Sequence, residues 1–274
     1  MSINQKKISI LGAGNIGSAI AYGLINSGLY KASEIVITRR NQDLLKSFLV
    51  KGFQTTRSNV QAVSETDIII IAVTPQQLNG LLAEIKKSID AARHTLISIV
   101  SGATINQIRE QIKNDAAIIR AMPNTAIAIQ ESMTCISAQP KDYEKLELAK
   151  NIFDALGKTL VIEESLMVPA TALCACGIAF FLRAVRAASQ GGIEIGFHAE
   201  DALLMAAQTA KGAASLLLNM GNHPENEVDK VTTPRGCTIS GLNEMEHNGF
   251  SSALIKGITT SAEKAAKLYS PKED

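Results

Sequence analysis

The sequence predicts an α/β domain built on a mostly parallel sheet, followed by an all-α domain. Three observations carry that reading. Apolar, β-branched runs alternate with helical patterns from Ile8 to about Ile162. Gly12, Gly14 and Gly17 follow the first run in G-x-G-x-x-G spacing. After Glu164 no convincing strand pattern returns, so the expected boundary separates residues 1–163 from residues 164–274.

The elements follow in order. Ile8 to Leu11 reads as a short buried strand, and the small residues from Asn15 to Asn26 read as a helix that Gly28 can end with a positive φ. Glu34 to Thr38 is the second strand and closes a βαβ unit. Asn41 can cap a helix to Val50, Phe53 to Thr55 is a short strand, and Asn59 to Ser64 is a brief helix. Ile68 to Val73 has no polar alternation, as expected of a central parallel strand covered on both faces. Pro75 stops it, a helix runs from Gln76 to Ser88, and Thr95 to Val100 is another buried strand. Thr104 caps a helix to Lys113, strands follow at Ala116 to Ala121 and Met133 to Ser137, a helix covers Lys141 to Leu156, and Thr159 to Ile162 is the last strand.

The second half is helical: Ser165 to Gln190 with an irregularity at Gly177, then Glu200 to Asn219, Glu225 to Val231, Thr238 to His247, and Ser251 to Tyr269. The tail from Ser270 to Asp274 is expected to fray. Stretches such as Ala179-Phe180-Phe181-Leu182 and Ser215-Leu216-Leu217-Leu218 leave few polar faces. A helix apolar on most sides must be buried on most sides. A unit of this size has little interior for that, which points to an interleaved homodimer.

The glycine spacing defines the first half as a Rossmann dinucleotide-binding domain. Gly12 allows a tight turn, Gly14 lets the backbone approach a pyrophosphate, and Gly17 lets helix and strand pack closely. The pyrophosphate would rest on free amides at the positive end of the helix. At the end of the second strand stand Thr38, Arg39, Arg40 and Asn41, without the acid that holds a ribose 2′-hydroxyl. Two guanidiniums attract a 2′-phosphate instead, so NADPH is expected, with NADH weaker.

Composition bounds the rest. The chain has 274 residues, 46% of them hydrophobic, and a formal net charge of +1, which gives no broad field for nucleic acid or membrane. Aromatics are 4% with no Trp, against base-stacking platforms. The start, Met1 to Lys7, leads straight into a strand rather than a leader, and apolar runs are broken by Gly, Arg or polar groups short of about 20 residues. A soluble cytoplasmic protein is expected. Cys174 and Cys176, at i, i+2, are neither a redox pair nor a zinc half-site, and the four thiols, with Cys135 and Cys237, are expected to be buried and free. No metal site is expected. His94, His198, His223 and His247 fall at turns or helix ends, away from catalytic placement.

A second cluster, Thr232-Thr233-Pro234-Arg235-Gly236-Cys237-Thr238, is a turn feeding a helix. It reads as an N-cap or as an anion nest: amides from Gly236 to Thr238 could hold a carboxylate, and the Thr233 and Thr238 hydroxyls could reach a neighbouring polar group.

These motifs, together with Ala72-Val73-Thr74-Pro75, Ser101-Gly102-Ala103-Thr104-Ile105, Arg120-Ala121-Met122-Pro123-Asn124-Thr125 and Gly191-Gly192-Ile193-Glu194-Ile195-Gly196, resemble those of the pyrroline-5-carboxylate reductase family over nearly the whole chain. The resemblance implies a Rossmann domain and an all-α C-terminal dimerisation domain, often assembled into decamers, with an active site between domains completed by the partner's helices. It implies reduction of the cyclic imine 1-pyrroline-5-carboxylate to L-proline, hydride moving from nicotinamide C4 to imine C5. It assigns Gly12, Ala13, Gly14, Asn15, Ile16 and Gly17 to the pyrophosphate, Thr38, Arg39, Arg40 and Asn59 to the adenosine end, and Ala72, Val73, Thr74, Pro75, Val100, Ser101 and Gly102 to the nicotinamide half, with Asn124 in the cofactor set. Glu164, Thr233, Gly236, Cys237 and Thr238 fall to the substrate, and Thr238 is the catalytic hydroxyl near the ring nitrogen.

The chain departs from the family's Ser-Gly-Ser-Gly-Pro-Ala-Tyr at Cys174-Ala175-Cys176-Gly177-Ile178-Ala179-Phe180, and from its Gly-Gly pair at Arg235-Gly236. Reduction of a related cyclic imine or keto acid, and a catalytically silent NADP-binding protein, are the alternatives these departures leave.

Overall fold

The computed structural model describes residues 6–269 except Gln42. The expected frayed tail and the reading of residues 1–5 lie outside the described residues. The described chain forms two compact units, the first from residues 6–176 with 261–269 and the second from residues 177–260.

The first unit carries an eight-stranded sheet among the described residues, in the order β3-β2-β1-β4-β5-β6-β7-β8. In chain order its elements are β1 (Ile8–Leu11), α1 (Asn15–Asn26), β2 (Ile35–Thr38), α2 (Asp43–Val50), β3 (Gln54–Thr56), α3 (Asn59–Ser64), β4 (Ile68–Ile71), α4 (Pro75–Ile85), β5 (Thr95–Ser98), α5 (Ile105–Ile112), β6 (Ala117–Met122), β7 (Ser132–Ala138), α6 (Tyr143–Asp154), β8 (Gly157–Val161) and the short α7 (Met167–Ala170). The strands from β3 to β6 are parallel; β7 runs antiparallel to β6, and β8 follows β7. An antiparallel partner needs no helical crossover, and the β6–β7 link is only a 3-10 turn, Thr125–Ile129.

Period-two alternation divides the core between the sheet's faces. Ile8, Ile10, Ile68 and Ile70 join the residues of α1, α2 and α6. Ile69 and Ile71 join those of α3, α4 and α5. All four isoleucines of β4 are fully buried, which is why this strand carries no polar residue. Burying each such side chain contributes about 1.5–3 kcal/mol.

The second unit centres on α8 (Gly177–Glu194) and α9 (Ala199–Met220), followed by α10 (Pro224–Val231) and α11 (Cys237–His247); α12 (Phe250–Ala265) leads back into the first unit. Helices α8 and α9 pack closely at Gly192, where a Cβ would lie 3.0 Å from the Ala202 Cβ.

Several expectations need correction. Strand ends shift by a residue or two: Glu34 belongs to a 3-10 turn whose own carboxylate accepts the Lys31 amide, and Pro75 opens a helix at N1 instead of merely ending a strand. Gly157 opens β8 two residues earlier than expected, at a position where a Cβ would run into the Ser132 backbone. The irregularity placed at Gly177 is a π turn over Thr171–Cys176, just before it. The compact units divide inside the all-α half, at Gly177 and again at Ser261. Met167 and Ala170 pack on Met122 and Cys135 and hold the start of that half to the sheet.

Among the described residues, Glu164–Glu194 is one helical run long and apolar enough to cross a membrane by length and composition. Its best 18-residue window has mean hydropathy 2.0. The expectation that such runs are broken short fails because Gly177 and the π turn do not interrupt the helix. The thiols also differ from expectation. Cys135 is buried, Cys174 and Cys176 are partly exposed, and Cys237 at the start of α11 is exposed.

Candidate active site

The sheet order reverses between β1 and β4, the point at which an open α/β sheet leaves a crevice beyond its strand ends. A cavity of about 550 Å³ lies there. Turns following β1, β2, β3 and β4 line it with Gly12, Ala13, Gly14, Thr38, Arg39, Arg40, Arg57, Asn59, Ala72, Val73 and Thr74, and α4 adds Gln77, Leu81 and Glu84.

The glycine turn has the geometry its spacing implies. Gly12 has φ +104°, and a Cβ there would lie 2.7 Å from the Ala72 carbonyl oxygen. A Cβ on Gly17 would lie 2.2 Å from the Gly12 carbonyl oxygen, so α1 can meet β1 only with glycine at that position. A Cβ on Gly14 meets no atom within 4 Å among the described residues, so the backbone there is open to a ligand. Gly14 is also the N-cap of α1 and offers the helix no capping side chain. Its first-turn amides are free for an anion.

Arg39 donates through Nη1 to the Ala13 carbonyl oxygen and so spans the glycine turn. Arg40 and Arg57 leave two further guanidiniums on the cavity wall. Thr38 donates from its hydroxyl to Asn59 Oδ1 at 2.7 Å, and Asn59 donates from Nδ2 to Glu84 Oε2 at 2.9 Å. The cavity therefore sets three guanidiniums against one carboxylate. Arg57 and Glu84 were missed by sequence reasoning. Arg57 stands outside the glycine motif, in the turn after the third strand. Glu84 comes from the third turn of α4, too far along the chain from β2 to be sought as the acid at that strand's end.

Other expected cofactor residues lie elsewhere in the first unit. Asn15 and Ile16 open α1, and Pro75 opens α4. Val100, Ser101 and Gly102 follow β5, where Ser101 donates to the Met122 sulfur at 3.9 Å and Gly102 has φ +86°. Gly102 meets Tyr269, whose hydroxyl donates to Asn79 Oδ1 at 2.7 Å. Asn124 is 6% exposed; its Oδ1 accepts from the Ala126 amide at 3.0 Å and its Nδ2 donates to the Cys174 carbonyl at 3.2 Å. Its side chain is thus engaged in holding the turn after β6. Glu164 accepts the Ile105 amide at 2.7 Å and pairs with Arg120 at 3.1 Å.

In the second unit, the Gly236 amide donates to the Thr233 carbonyl at 2.9 Å, closing a turn with Pro234 and Arg235 at its centre. Arg235 has φ +58°, in the left-handed region that glycine alone occupies without cost. Gly236 is the N-cap of α11, and a Cβ there would lie 2.5 Å from Thr233 Oγ1. With glycine at the cap, Cys237 and Thr238 present first-turn amides to whatever anion approaches. The histidines sit as expected: His198 and His223 are N-caps, His247 ends α11, and His94 is buried in a turn. Among the described residues no group of three His, Cys, Asp or Glu could hold a metal.

A glycine turn at a sheet's switch point, an uncapped helix start and a basic wall define a dinucleotide-type crevice of the Rossmann class. Comparisons with known proteins agree. Residues 164–268 match the family model described as pyrroline-5-carboxylate reductase dimerisation, and residues 7–102 match that described as NADP oxidoreductase coenzyme F420-dependent. Pyrroline-5-carboxylate reductase 1 of Dictyostelium discoideum is 54% identical over 285 residues, covering 100% of this chain and 52% of that protein. Pyrroline-5-carboxylate reductase 2 of the same organism is 49% identical over 280 residues, covering 96% of this chain and 93% of that protein. The chain thus spans about half the length of the first relative and nearly all of the second. A solved pyrroline-5-carboxylate reductase of Coxiella burnetii aligns with a TM-score of 0.89 at 28% identity, over 98% of this chain and 100% of that one. The chain belongs to the pyrroline-5-carboxylate reductase family.

Proposed function

We propose that this chain reduces 1-pyrroline-5-carboxylate to L-proline, with NADPH preferred over NADH. The observation that carries the reading is the basic, glycine-lined crevice in a chain 49% identical to a reductase whose length it nearly matches. The residues fit the cofactor: the first-turn amides of α1, Asn15 to Gly17, suit a pyrophosphate, and Arg40 and Arg57 suit a 2′-phosphate by charge and forked geometry. When bound, the reduced nicotinamide supplies the hydride that reaches imine C5.

The chain's own part is positioning and polarisation. Amides of Gly236, Cys237 and Thr238 hold the substrate carboxylate, with Thr233 shaping the turn. The Thr238 hydroxyl donates a hydrogen bond to the imine nitrogen, drawing electron density from C5 and making it a better hydride acceptor. Holding two flat rings in register supplies much of the remaining acceleration. We assign Val100, Ser101 and Gly102 to the nicotinamide side, and Glu164 to fixing the turn that carries them.

Assembly follows from α8 and α9. Phe181, Leu182, Leu204 and Leu218 are all more than 60% exposed in the single chain, within the segment that matches a dimerisation model. We assign these faces to a homodimer, with a decamer as the higher assembly, in a two-domain enzyme (1–163 and 164–274) that is soluble and cytoplasmic. Arg235 favours one second reading, a related cyclic imine or keto acid as substrate, since it adds a cation beside the carboxylate nest. Turnover on cyclic imino acids against acyclic keto acids separates the two; faster turnover of a keto acid overturns the first.

A further inference from the structure

The end of β2 lacks the acid that takes a ribose 2′-hydroxyl, yet the crevice it opens into holds a carboxylate from another element. Glu84 lies in α4, and Gln77, Gly80, Leu81 and Glu84 all line the crevice. Their spacing of i, i+3, i+4 and i+7 makes one face of that helix a wall of the cavity. Two hydrogen bonds in series tie Glu84 to β2. The hydroxyl of Thr38, the last residue of the strand, donates to Asn59 Oδ1 at 2.7 Å, and Asn59 Nδ2 donates to Glu84 Oε2 at 2.9 Å. Thr38 is buried, so the series starts from a fixed point. Glu84 is exposed, and its Oε1 makes no hydrogen bond among the described residues. Arg40 and Arg57 line the same cavity but form no ion pair with it among the described residues. One oxygen of the carboxylate is thus held in place, and the other is left as an acceptor.

We propose that Glu84 sets the cofactor preference, a role that rests on the nucleotide proposed above for this crevice. Its Oε1 accepts the adenosine ribose 2′-hydroxyl of NADH and so replaces, from α4, the acid missing after β2. A hydrogen bond to an ionised acceptor is about twice as strong as one to a neutral group. The same charge acts against NADPH, because a phosphate monoester is largely doubly ionised at neutral pH and is repelled by a carboxylate. Arg40 and Arg57 pull the other way, attracting the 2′-phosphate and offering a 2′-hydroxyl no acceptor. Two guanidiniums outweigh one carboxylate, so NADPH is preferred, while Glu84 keeps NADH usable. Asn59 is a positioning residue. With Oδ1 taken by Thr38, its amide presents N–H to Glu84 and holds the carboxylate on the crevice wall.

The test measures, by calorimetry on the full chain, the binding of NADH, NADPH and the NADH analogue that lacks the adenosine 2′-hydroxyl. Wild type, Glu84→Ala and Glu84→Gln are compared, with circular dichroism checking the fold of each. The wild type should bind NADH about 10-fold or more tighter than the 2′-deoxy analogue, the range for a hydrogen bond to a charged group. In Glu84→Ala, NADH should weaken to the level of the analogue, the analogue should be unchanged, and NADPH should tighten about two- to five-fold, as for removal of a like charge at an exposed site. Glu84→Gln should keep part of the NADH preference over the analogue and show the same NADPH gain. Equal weakening of NADH and the analogue in Glu84→Ala would make Glu84 a support for Asn59 alone and overturn the proposal. So would a wild type that binds NADH and the analogue alike, or an NADPH affinity unaltered in both variants. Should Glu84→Ala not fold, the wild-type ratio and Glu84→Gln decide it. Binding is read without turnover, so a failure here is distinct from a failure to reduce the imine.

Discussion

Arg120 and Glu164 form an ion pair, Nη1 to Oε1 at 3.1 Å, and the same carboxylate oxygen accepts the Ile105 amide at 2.7 Å. Arg120 is 3% exposed, and its Nη2 has no hydrogen-bond partner among the described residues. Burial draws its pKa down, opposed by the hydrogen bond and charge of Glu164. Glu164 therefore neutralises a buried cation and pins the start of α5 directly after the Ser101–Thr104 turn.

Removing that carboxylate leaves a buried guanidinium unpaired, which costs about 3–5 kcal/mol. Glu164→Ala should lower unfolding stability by about that amount in urea titration. Glu164→Gln keeps an acceptor for the Ile105 amide and should lose less. A loss below about 1 kcal/mol for Ala would show that the pair does not hold this turn.

The three arginines of the crevice should separate by role. Arg39 is bound to the Ala13 carbonyl, so Arg39→Ala should weaken NADPH and NADH alike. Arg40→Ala with Arg57→Ala should weaken NADPH by about 10-fold or more, the loss of charge-assisted hydrogen bonds worth about 1.5–3 kcal/mol, and leave NADH nearly unchanged. Glu84→Gln should tighten NADPH by removing the opposing carboxylate. Titration of nucleotide binding by calorimetry reads all of these; equal losses for both nucleotides in the Arg40/Arg57 pair would remove the 2′-phosphate assignment.

Thr238→Ala should lower turnover by about 10²-fold, in the range for a lost proton or hydrogen-bond donor at a reacting centre, with NADPH affinity unchanged. Thr238→Ser should restore much of it. Stopped-flow hydride transfer checks this, and wild-type rates for Thr238→Ala would take the hydroxyl out of the chemistry.

His94 gives a pH signature. It is 3% exposed, its Nδ1 accepts the Asp90 amide at 2.9 Å, and its Nε2 has no partner among the described residues. Burial, then the charge of Arg93, holds its pKa below the ordinary 6.5. The unfolded chain binds this proton near 6.5 and the folded chain only at lower pH. Stability from this group is thus complete above about pH 6.5 and falls below it, with a slope of at most about 1.4 kcal/mol per pH unit. Denaturation at pH 7 and pH 5 should show the loss, and His94→Gln should flatten it; an unchanged slope would mean another group titrates.

The fold was largely legible in the residues. Gly12, Gly14 and Gly17 marked the turn, and the unbroken Ile68–Ile71 run marked a strand covered on both faces, because local sterics and period-two burial act on neighbours in sequence. What escaped depends on distant partners. Nothing near Gly157 signals the Ser132 backbone that demands glycine there. Glu84 and Arg57 meet the crevice only because β3 and α4 flank β1, β2 and β4 in three dimensions. Arg39 reads as a phosphate ligand from its place after β2; its hydrogen bond to the Ala13 carbonyl depends on the glycine turn folding back beside it, which no local pattern signals. Glu164, expected at the substrate, was recognisable as a junction residue but not as the partner of Arg120.

Reduction of a cyclic imine by this chain is tested by incubating the folded, NADPH-loaded protein with 1-pyrroline-5-carboxylate and measuring nucleotide oxidation and proline together. The expected result is one proline formed per NADPH oxidised, with slower turnover on NADH. Nucleotide bound but not oxidised, with no proline formed, would contradict it.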